Sequence, residues 1–253
     1  LQEMVQKPKV EFAGLSMKSL SLFEATPVFK LKVTNPNPVG LTLSNLSYQL
    51  KLNDLDFVKS TMDKGVSLGA AGSDIVEIPV TINYLDLFET VSDFVQTKKV
   101  RYDLSGSVGF GPLTIPYQTD GEFDVPKLPE ISLKNIEVSS LSLLGASLKF
   151  AVGMKNENPF TVRLSGLDYN LKLGGKNFAT GTTENIPAID EKGLSTLEIP
   201  MQVNFIRLGR AVYNLMTGAS GEYEMTGAMK FNLPEVGEKS FPFQQRGVVP
   251  IQK

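Results

Sequence analysis

The sequence predicts a mainly β fold of two tandem antiparallel β-sandwiches, each carrying one short amphipathic helix. Three observations lead to this expectation: an internal repeat, strands of period two within each copy, and one stretch of helical period per copy. The chain has 253 residues, 42% of them hydrophobic and 21% charged. It is therefore long enough for two domains of ordinary size and apolar enough to build a core in each.

The repeat appears when residue i is placed beside residue i+121. From Leu15 to Phe110 the two copies align without a gap, and 28 of the 96 pairs are identical. A period of this length suits a whole domain. The copies divide the chain into a polar tether, two domains and a stiff proline-containing linker between them. These segments are residues 1–9 for the tether, 10–127 and 128–253 for the two domains, and 125–131 for the linker.

Hydrophobic residues at every second position indicate the strands. In the first copy Phe29, Leu31 and Val33 alternate with lysines, and the second copy keeps the same phase. Such alternation is typical of a strand with one buried face. Further faces of this kind lie at residues 46–52, 76–84 and 102–110 and at the positions 121 residues later. About seven short strands per copy favour a sandwich, with a closed barrel as the alternative.

A tight turn and a helix complete each copy. Asn53-Asp54 and its counterpart Gly174-Gly175 both accept positive φ, so each predicts a two-residue hairpin. One later segment has apolar residues at i, i+4, i+7 and i+8, the spacing of an amphipathic helix. The residues are Leu87, Val91, Phe94 and Val95 in the first copy and Leu208, Val212, Leu215 and Met216 in the second.

Composition excludes several classes of function. The chain has no Cys, His or Trp, so it has no thiolate nucleophile, no Ser-His-Asp triad and no His-ligated zinc. The net charge is -2, and residues 1–127 carry 12 basic and 15 acidic side chains, so neither half suits nucleic acid. We expect no enzyme activity, no cofactor and no metal.

A motif in each copy resembles a known family. In the first copy Asn35-Pro36-Asn37-Pro38 follows a strand and leads into the pattern L-x-L-S-x-L-x-Y-x-L-x-L; the second copy has Asn156-Glu157-Asn158-Pro159. This resembles the late-embryogenesis-abundant family 2 domain, also called the water stress and hypersensitive response (WHy) domain, over nearly the whole chain. The resemblance implies an immunoglobulin/fibronectin-III-like sandwich, a role in stress or desiccation tolerance, and no catalysis.

The resemblance also implies partners and a location. The expected partners are proteins or envelope components met by surface contact, with lipid as an alternative partner. Similar bacterial proteins are often envelope lipoproteins, so the expected location is the cell envelope, periplasmic or lipid-anchored, with the cytoplasm as the alternative. A membrane would then be reached only through a lipid anchor upstream of Leu1. Lipid transfer and an adhesive or spacer role in the envelope are the competing functions.

The Asn-Pro motif has a structural and a binding interpretation. Proline ends strand pairing and asparagine side chains mimic backbone turns, so the favoured interpretation is a strand-terminating turn, with a partner surface as the alternative. The motif residues are Asn35, Pro36, Asn37, Pro38, Asn156, Asn158 and Pro159.

Two other features are candidates for binding. A mid-strand glycine sits between large inward residues in each copy, which predicts either a bulge, room for the helix, or an apolar groove. The candidate groove residues are Gly106, Gly227, Phe94 and Leu215. Asp120, Glu122 and Asp124 have a spacing that suits calcium, but the favoured interpretation is the solvent face of a last strand.

Overall fold

The repeated sequence folds twice, as two separate units. The structure is a computed structural model, and the residues it describes are 6–63, 65–87, 93, 96–204, 206, 210–233 and 236–253. The chain divides into the units Leu1–Pro126 and Lys127–Lys253.

Antiparallel strands build the described part of the first unit. They are β1 (Lys9–Leu20), β2 (Glu24–Thr34), β3 (Leu41–Leu43), β4 (Asn45–Leu52), β5 (Leu55–Met62), β6 (Val66–Leu68), β7 (Ser73–Pro79), β8 (Ile82–Asn83), β9 (Lys99–Phe110) and β10 (Leu113–Asp124). One sheet has the order β1-β2-β7, with β8 also on β2, and the other has the order β10-β9-β4-β5; β3 and β6 form a short ribbon. A 3-10 turn at Tyr84–Asp86 follows β8.

The second unit repeats this plan. Its elements are β11 (Glu130–Leu141), β12 (Gly145–Lys155), β13 (Gly166–Leu173), β14 (Lys176–Thr183), β15 (Leu194–Asn204), helix α1 (Arg210–Thr217), β16 (Ser220–Leu233) and β17 (Gly237–Gln252). The order is β14-β13-β16-β17-β11-β12-β15, and a short parallel pairing of Ile136 with Ile251 joins the two layers. The outermost strands, β14 and β15, do not pair with each other, so the sheet is open and the barrel alternative does not apply.

The core lies where the alternation predicts it. Phe29, Leu31 and Val33 are fully buried, whereas the lysines between them are not. The ring of Phe29 meets that of Tyr102 from the facing sheet edge-on, with 5.1 Å between centroids. Edge-to-face aromatic pairs of this kind add to the stabilisation that comes from burial alone. The predicted sandwich with a period-two core is confirmed.

Both predicted hairpins have the expected backbone. Asn53 and Asp54 have φ of 50° and 68°, and Gly174 and Gly175 have φ of 55° and 77°. Positive φ at both central residues matches the right-handed twist of the two strands that the turn joins. The turns connect β4 to β5 and β13 to β14.

The helix predicted for the second copy is α1, in which Met216 is fully buried. In the first copy Asp93 and Gln96 are helical. Leu87, the first position named for that helix, lies in the turn directly after the 3-10 turn. Val91, Phe94 and Val95, and also Leu208 in the second copy, lie outside the described residues. Of Val212 and Leu215 the structure describes the backbone only.

Candidate functional site: a buried asparagine network in each repeat

The Asn-Pro motif begins directly after the end of a strand. β2 ends at Thr34, and both asparagines that follow are buried, Asn35 fully and Asn37 to 3% exposure. Asn156 and Asn158 are buried to the same degree in the second unit. A buried amide costs stability unless all its polar atoms are hydrogen-bonded, so their partners decide what the motif does.

Both polar atoms of the Asn35 side chain form hydrogen bonds within the domain. Its amide nitrogen donates to the carbonyl oxygens of Val39, at 2.8 Å, and of Gly69, at 3.0 Å. Its Oδ1 accepts from both the backbone N–H and the side-chain amide of Asn37, each at 3.0 Å. The side chain therefore closes the turn and fastens it to the loop that precedes β7.

Asn37 reaches further along the chain. Its amide donates to the carbonyl oxygen of Gln6 at 2.8 Å, and its Oδ1 accepts from the backbone N–H of Gln6 at 2.7 Å. These two hydrogen bonds, which we call the clasp, hold the chain just before β1. The tether predicted for residues 1–9 is therefore too long: from Gln6 onwards the chain is bound to the domain, and Pro8 is buried.

The second unit repeats the network at an offset of 121 residues. Asn156 donates to the carbonyl oxygens of Phe160, at 2.6 Å, and of Asp190, at 3.0 Å. Asn158 clasps Lys127 through hydrogen bonds of 2.7 and 2.8 Å. We call residues 6–8 and 127–129 the lead-in segments. In both units the first asparagine fastens the turn to a neighbouring loop, and the second fastens a lead-in segment.

Sequence reasoning missed these two partners because each lies 31 residues before its asparagine. The repeat carried a usable signal, since Pro8 and Val10 stand 121 residues before Pro129 and Ile131. Extending the alignment upstream of Leu15 would have shown that the lead-in segments belong to the duplicated domain.

The prolines of the motif lie nearer the surface. Pro36 is half-buried, and Pro38 and Pro159 are exposed. Where the first unit has Pro36, the second has Glu157, whose carboxylate pairs with Lys127 and Lys155, each at 2.7 Å. Hydrogen bonds from Lys127 and then Lys155 lower the pKa of Glu157 to about 2. An ion pair thus reinforces the clasp on the second lead-in segment.

The two mid-strand glycines leave no room for an apolar ligand. A side chain at Gly106 would overlap the carbonyl oxygen of Ser47 and the hydroxyl of Tyr117, which donates to that carbonyl at 2.9 Å. A side chain at Gly227 would overlap the carbonyl oxygen of Asp168 and the ring of Phe243. The strand register continues through both positions, so neither is a bulge.

An aromatic side chain therefore occupies the space at each glycine, and among the described residues no apolar groove opens there. Of the other two candidate groove residues, Phe94 lies outside the described residues and Leu215 is described only by its backbone.

The acidic candidates lie on a solvent face. Asp120, Glu122 and Asp124 are exposed on β10, the last strand of the first unit, while Phe123 between them is buried. Glu122 pairs with Lys99. Across the described ranges, no three acidic side chains converge as a metal site would require.

A shallow depression of about 300 Å³ lies on the outer face of β11, β12 and β15. It forms over Ala151, which stands where the first unit has Lys30, a lysine that pairs with Glu77 at 3.6 Å. Two lysines and two glutamates border it: Lys134, Lys149, Glu137 and Glu198. An open depression bordered by charges of both signs suits weak contact with polar groups.

Curated relatives match about half of this chain at a time. A late embryogenesis abundant protein, Lea14-A, from Gossypium hirsutum is 22% identical over 125 residues, which are 49% of this chain and 83% of the relative. A desiccation protectant protein, a Lea14 homolog from Glycine max, is 21% identical over 53% of this chain and 88% of its own length. Each relative thus corresponds in length to one repeat.

Among solved structures, a putative late embryogenesis abundant protein from Arabidopsis thaliana is 21% identical, with a TM-score of 0.34. The match covers 49% of this chain and 72% of that one.

The family model described as late embryogenesis abundant protein matches residues 30–128 and 151–247, one region in each unit. Its members are non-enzymatic stress proteins. Because these two matches cover most of the sequence, the chain belongs to the late embryogenesis abundant protein family, as a tandem member with a stress- or desiccation-related role.

Proposed function

We propose that the chain is a protective binding module that acts by surface contact with other proteins or with envelope components during water stress. The family and the names of the desiccation-related relatives support the stress role.

The observation that carries the proposal is the contrast between the buried hydrogen bonds of each unit and the ion pairs on its outer surface. The motif asparagines direct their polar atoms inward, whereas exposed ion pairs cross the strands on the outer faces. In the second unit Glu224 lies between Lys172, at 3.8 Å, and Arg246, at 3.2 Å, in a row across three strands. A hydrogen bond from Arg246 is the main cause of the lowered pKa of Glu224.

Exposed ion pairs suit reversible contact because opening them costs little. In water such pairs contribute about 0–1 kcal/mol each. As water is lost, the charges of a client protein compete for the same partners, and the row can exchange its internal pairs for pairs with the client. The folded core is unaffected, because the buried motif asparagines form their hydrogen bonds within the domain.

The test is drying in the presence of a labile client enzyme. The full chain is added to a drying-sensitive dehydrogenase over a series of concentrations, and activity is measured after rehydration. We expect recovery to rise with the amount of chain and to exceed that given by an equal mass of an inert globular protein. Recovery no better than with the inert protein would refute the proposal.

The contribution of the charged row has its own control. Lys172→Gln with Arg246→Gln removes two of its exposed charges, and Lys51→Gln with Lys59→Gln removes two lysines from the first unit. We expect the first pair to lower recovery more than the second. Equal recovery from the two variants would show that this row does not make the contact.

A further inference from the structure

The two units end their first hairpin in the same turn. Ser21 and Ser142 each accept a hydrogen bond from the backbone N–H three residues later, at 3.0 and 3.1 Å. Each also donates to the carbonyl oxygen of that same residue. This turn fixes the direction of the two side chains at its centre, so the two hairpins can be compared directly.

The central side chains have opposite environments in the two units. Leu22 and Phe23 are buried in the first unit, with 5% and 9% exposure. There the N–H of Tyr84 donates to the carbonyl oxygen of Phe23 at 2.8 Å. Leu143 and Leu144 in the second unit are 82% and 67% exposed. A rigid turn therefore presents two leucines to solvent in the second unit only.

Two more apolar side chains lie at the same end of the sheet. Leu141, the last residue of β11, is 39% exposed, and Ile206 is 76% exposed. Ile206 belongs to this end because its N–H donates to Oδ1 of Asn204, whose backbone pairs with Gly145 directly after the turn. We call Leu141, Leu143, Leu144 and Ile206 the apolar tip.

The charge of the sequence also differs between the tip region of the second unit and the corresponding region of the first. Residues 138–156 and 199–221, which include the tip and α1, contain no Asp or Glu, and the second range contains Arg207 and Arg210. The corresponding residues 78–100 of the first unit contain Asp86, Glu89 and Asp93. In the second unit Lys253 adds a cation at the end of α1, where its ammonium donates to the carbonyl oxygen of Thr217.

We propose that the apolar tip of the second unit docks on an anionic lipid surface. Exposed aliphatic side chains, in stretches of sequence that carry basic residues and no acidic ones, match a surface that is apolar within and negatively charged at its headgroups. A second copy of the chain is a poorer occupant, because a stable interface needs about 800 Å² per partner and four side chains provide much less. The inference is independent of client protection.

The test is co-sedimentation of the full chain with vesicles. One set is made of equal parts phosphatidylcholine and phosphatidylglycerol and the other of phosphatidylcholine alone. Leu143→Ser with Leu144→Ser removes the exposed leucines. Leu55→Ser with Leu194→Ser is the matched control, because those leucines are 65% and 61% exposed, one in the first unit and the other at the opposite end of β15 from the tip. Thermal unfolding checks that every variant is folded.

We expect binding to the anionic vesicles that weakens in high salt, with a loss of about tenfold in affinity for the tip variant and little for the control. Since the chain has no Trp, Leu144→Trp supplies a single tryptophan whose emission should shift to the blue on binding. Failure to bind anionic vesicles, or equal binding by both double variants, would overturn the proposal. So would a dimer that forms without lipid and is lost in the tip variant, because the tip would then be a self-association surface.

Discussion

Single residues of this chain are fixed by the close approach of a neighbouring backbone. The asparagines of the motif are needed because one small side chain must both donate to carbonyls and accept from an N–H. Gly106 and Gly227 are needed because a tyrosine or phenylalanine ring and a carbonyl oxygen occupy the space of a side chain. The same residue types stand at both positions of the repeat, and the structure gives each its backbone neighbours at corresponding positions.

The close packing at Gly106 predicts a loss of stability on adding one methyl group. Gly106→Ala would force apart the Ser47 carbonyl and the Tyr117 ring, and overpacking of this kind costs about 1–3 kcal/mol. Gly65→Ala is the control, because nothing lies within 4 Å of the added carbon, and its effect should stay within about 0.5 kcal/mol. Urea denaturation measures both, and equal stability of the two variants would contradict the packing described here.

The ion pairs of Glu157 predict a pH dependence in acid. The folded pKa of about 2 lies below the value of about 4.3 for an unfolded glutamate, so these pairs stabilise the fold above pH 4.3. That contribution is lost as the pH falls from about 4.3 to about 2. An NMR titration of the side-chain carboxyl should give a midpoint near 2, moving upwards in high salt because the group is exposed. A midpoint near 4.3 in low salt would show that the two lysines do not hold it.

At the scale of elements, local patterns predicted the strands and turns but not the fastening between segments. Alternation along the chain identified the buried faces, and positive-φ residues identified both hairpins. The irregularities of β1 and β11 carried no such pattern. Both strands shift register at corresponding places, between Phe12 and Gly14 and between Leu133 and Asn135. These register shifts depend on how each strand pairs with the next one, and the periodicity of a single strand does not predict that pairing.

The clasp on the lead-in segment predicts a local effect that a simple turn would not have. Asn158→Ala removes both hydrogen bonds to the backbone of Lys127 and one of the two hydrogen bonds that Oδ1 of Asn156 accepts, at a cost of about 1–3 kcal/mol. We expect the amide hydrogen of Lys127 to exchange with solvent much faster in this variant.

Asn170→Ala is the control for this experiment, because that side chain makes an exposed contact to Thr180. It should leave the Lys127 amide unchanged. If Asn158→Ala also left the exchange of Lys127 unchanged, the asparagine would not be what holds the lead-in segment.

For the whole molecule, the duplication decides the architecture. Each unit carries its own core, its own hairpins and its own asparagine network, so the fold class followed from a pattern that occurs twice. The candidate site was predicted only in part, because the motif is visible in sequence while Gln6 and Lys127 are recognised through their backbone atoms. Within the described residues, no helix is long and apolar enough to cross a membrane.

We propose that protection comes from the folded surface of the two units. The most direct test compares the intact chain with Asn35→Ala and Asn156→Ala combined, which opens both networks, at a temperature where only the variant has unfolded. The measurement is the client activity that survives drying at equal mass of each. We predict that recovery falls in proportion to the folded fraction of the variant. Equal recovery with the unfolded variant would contradict the claim, because protection would then need the composition of the chain and not its structure.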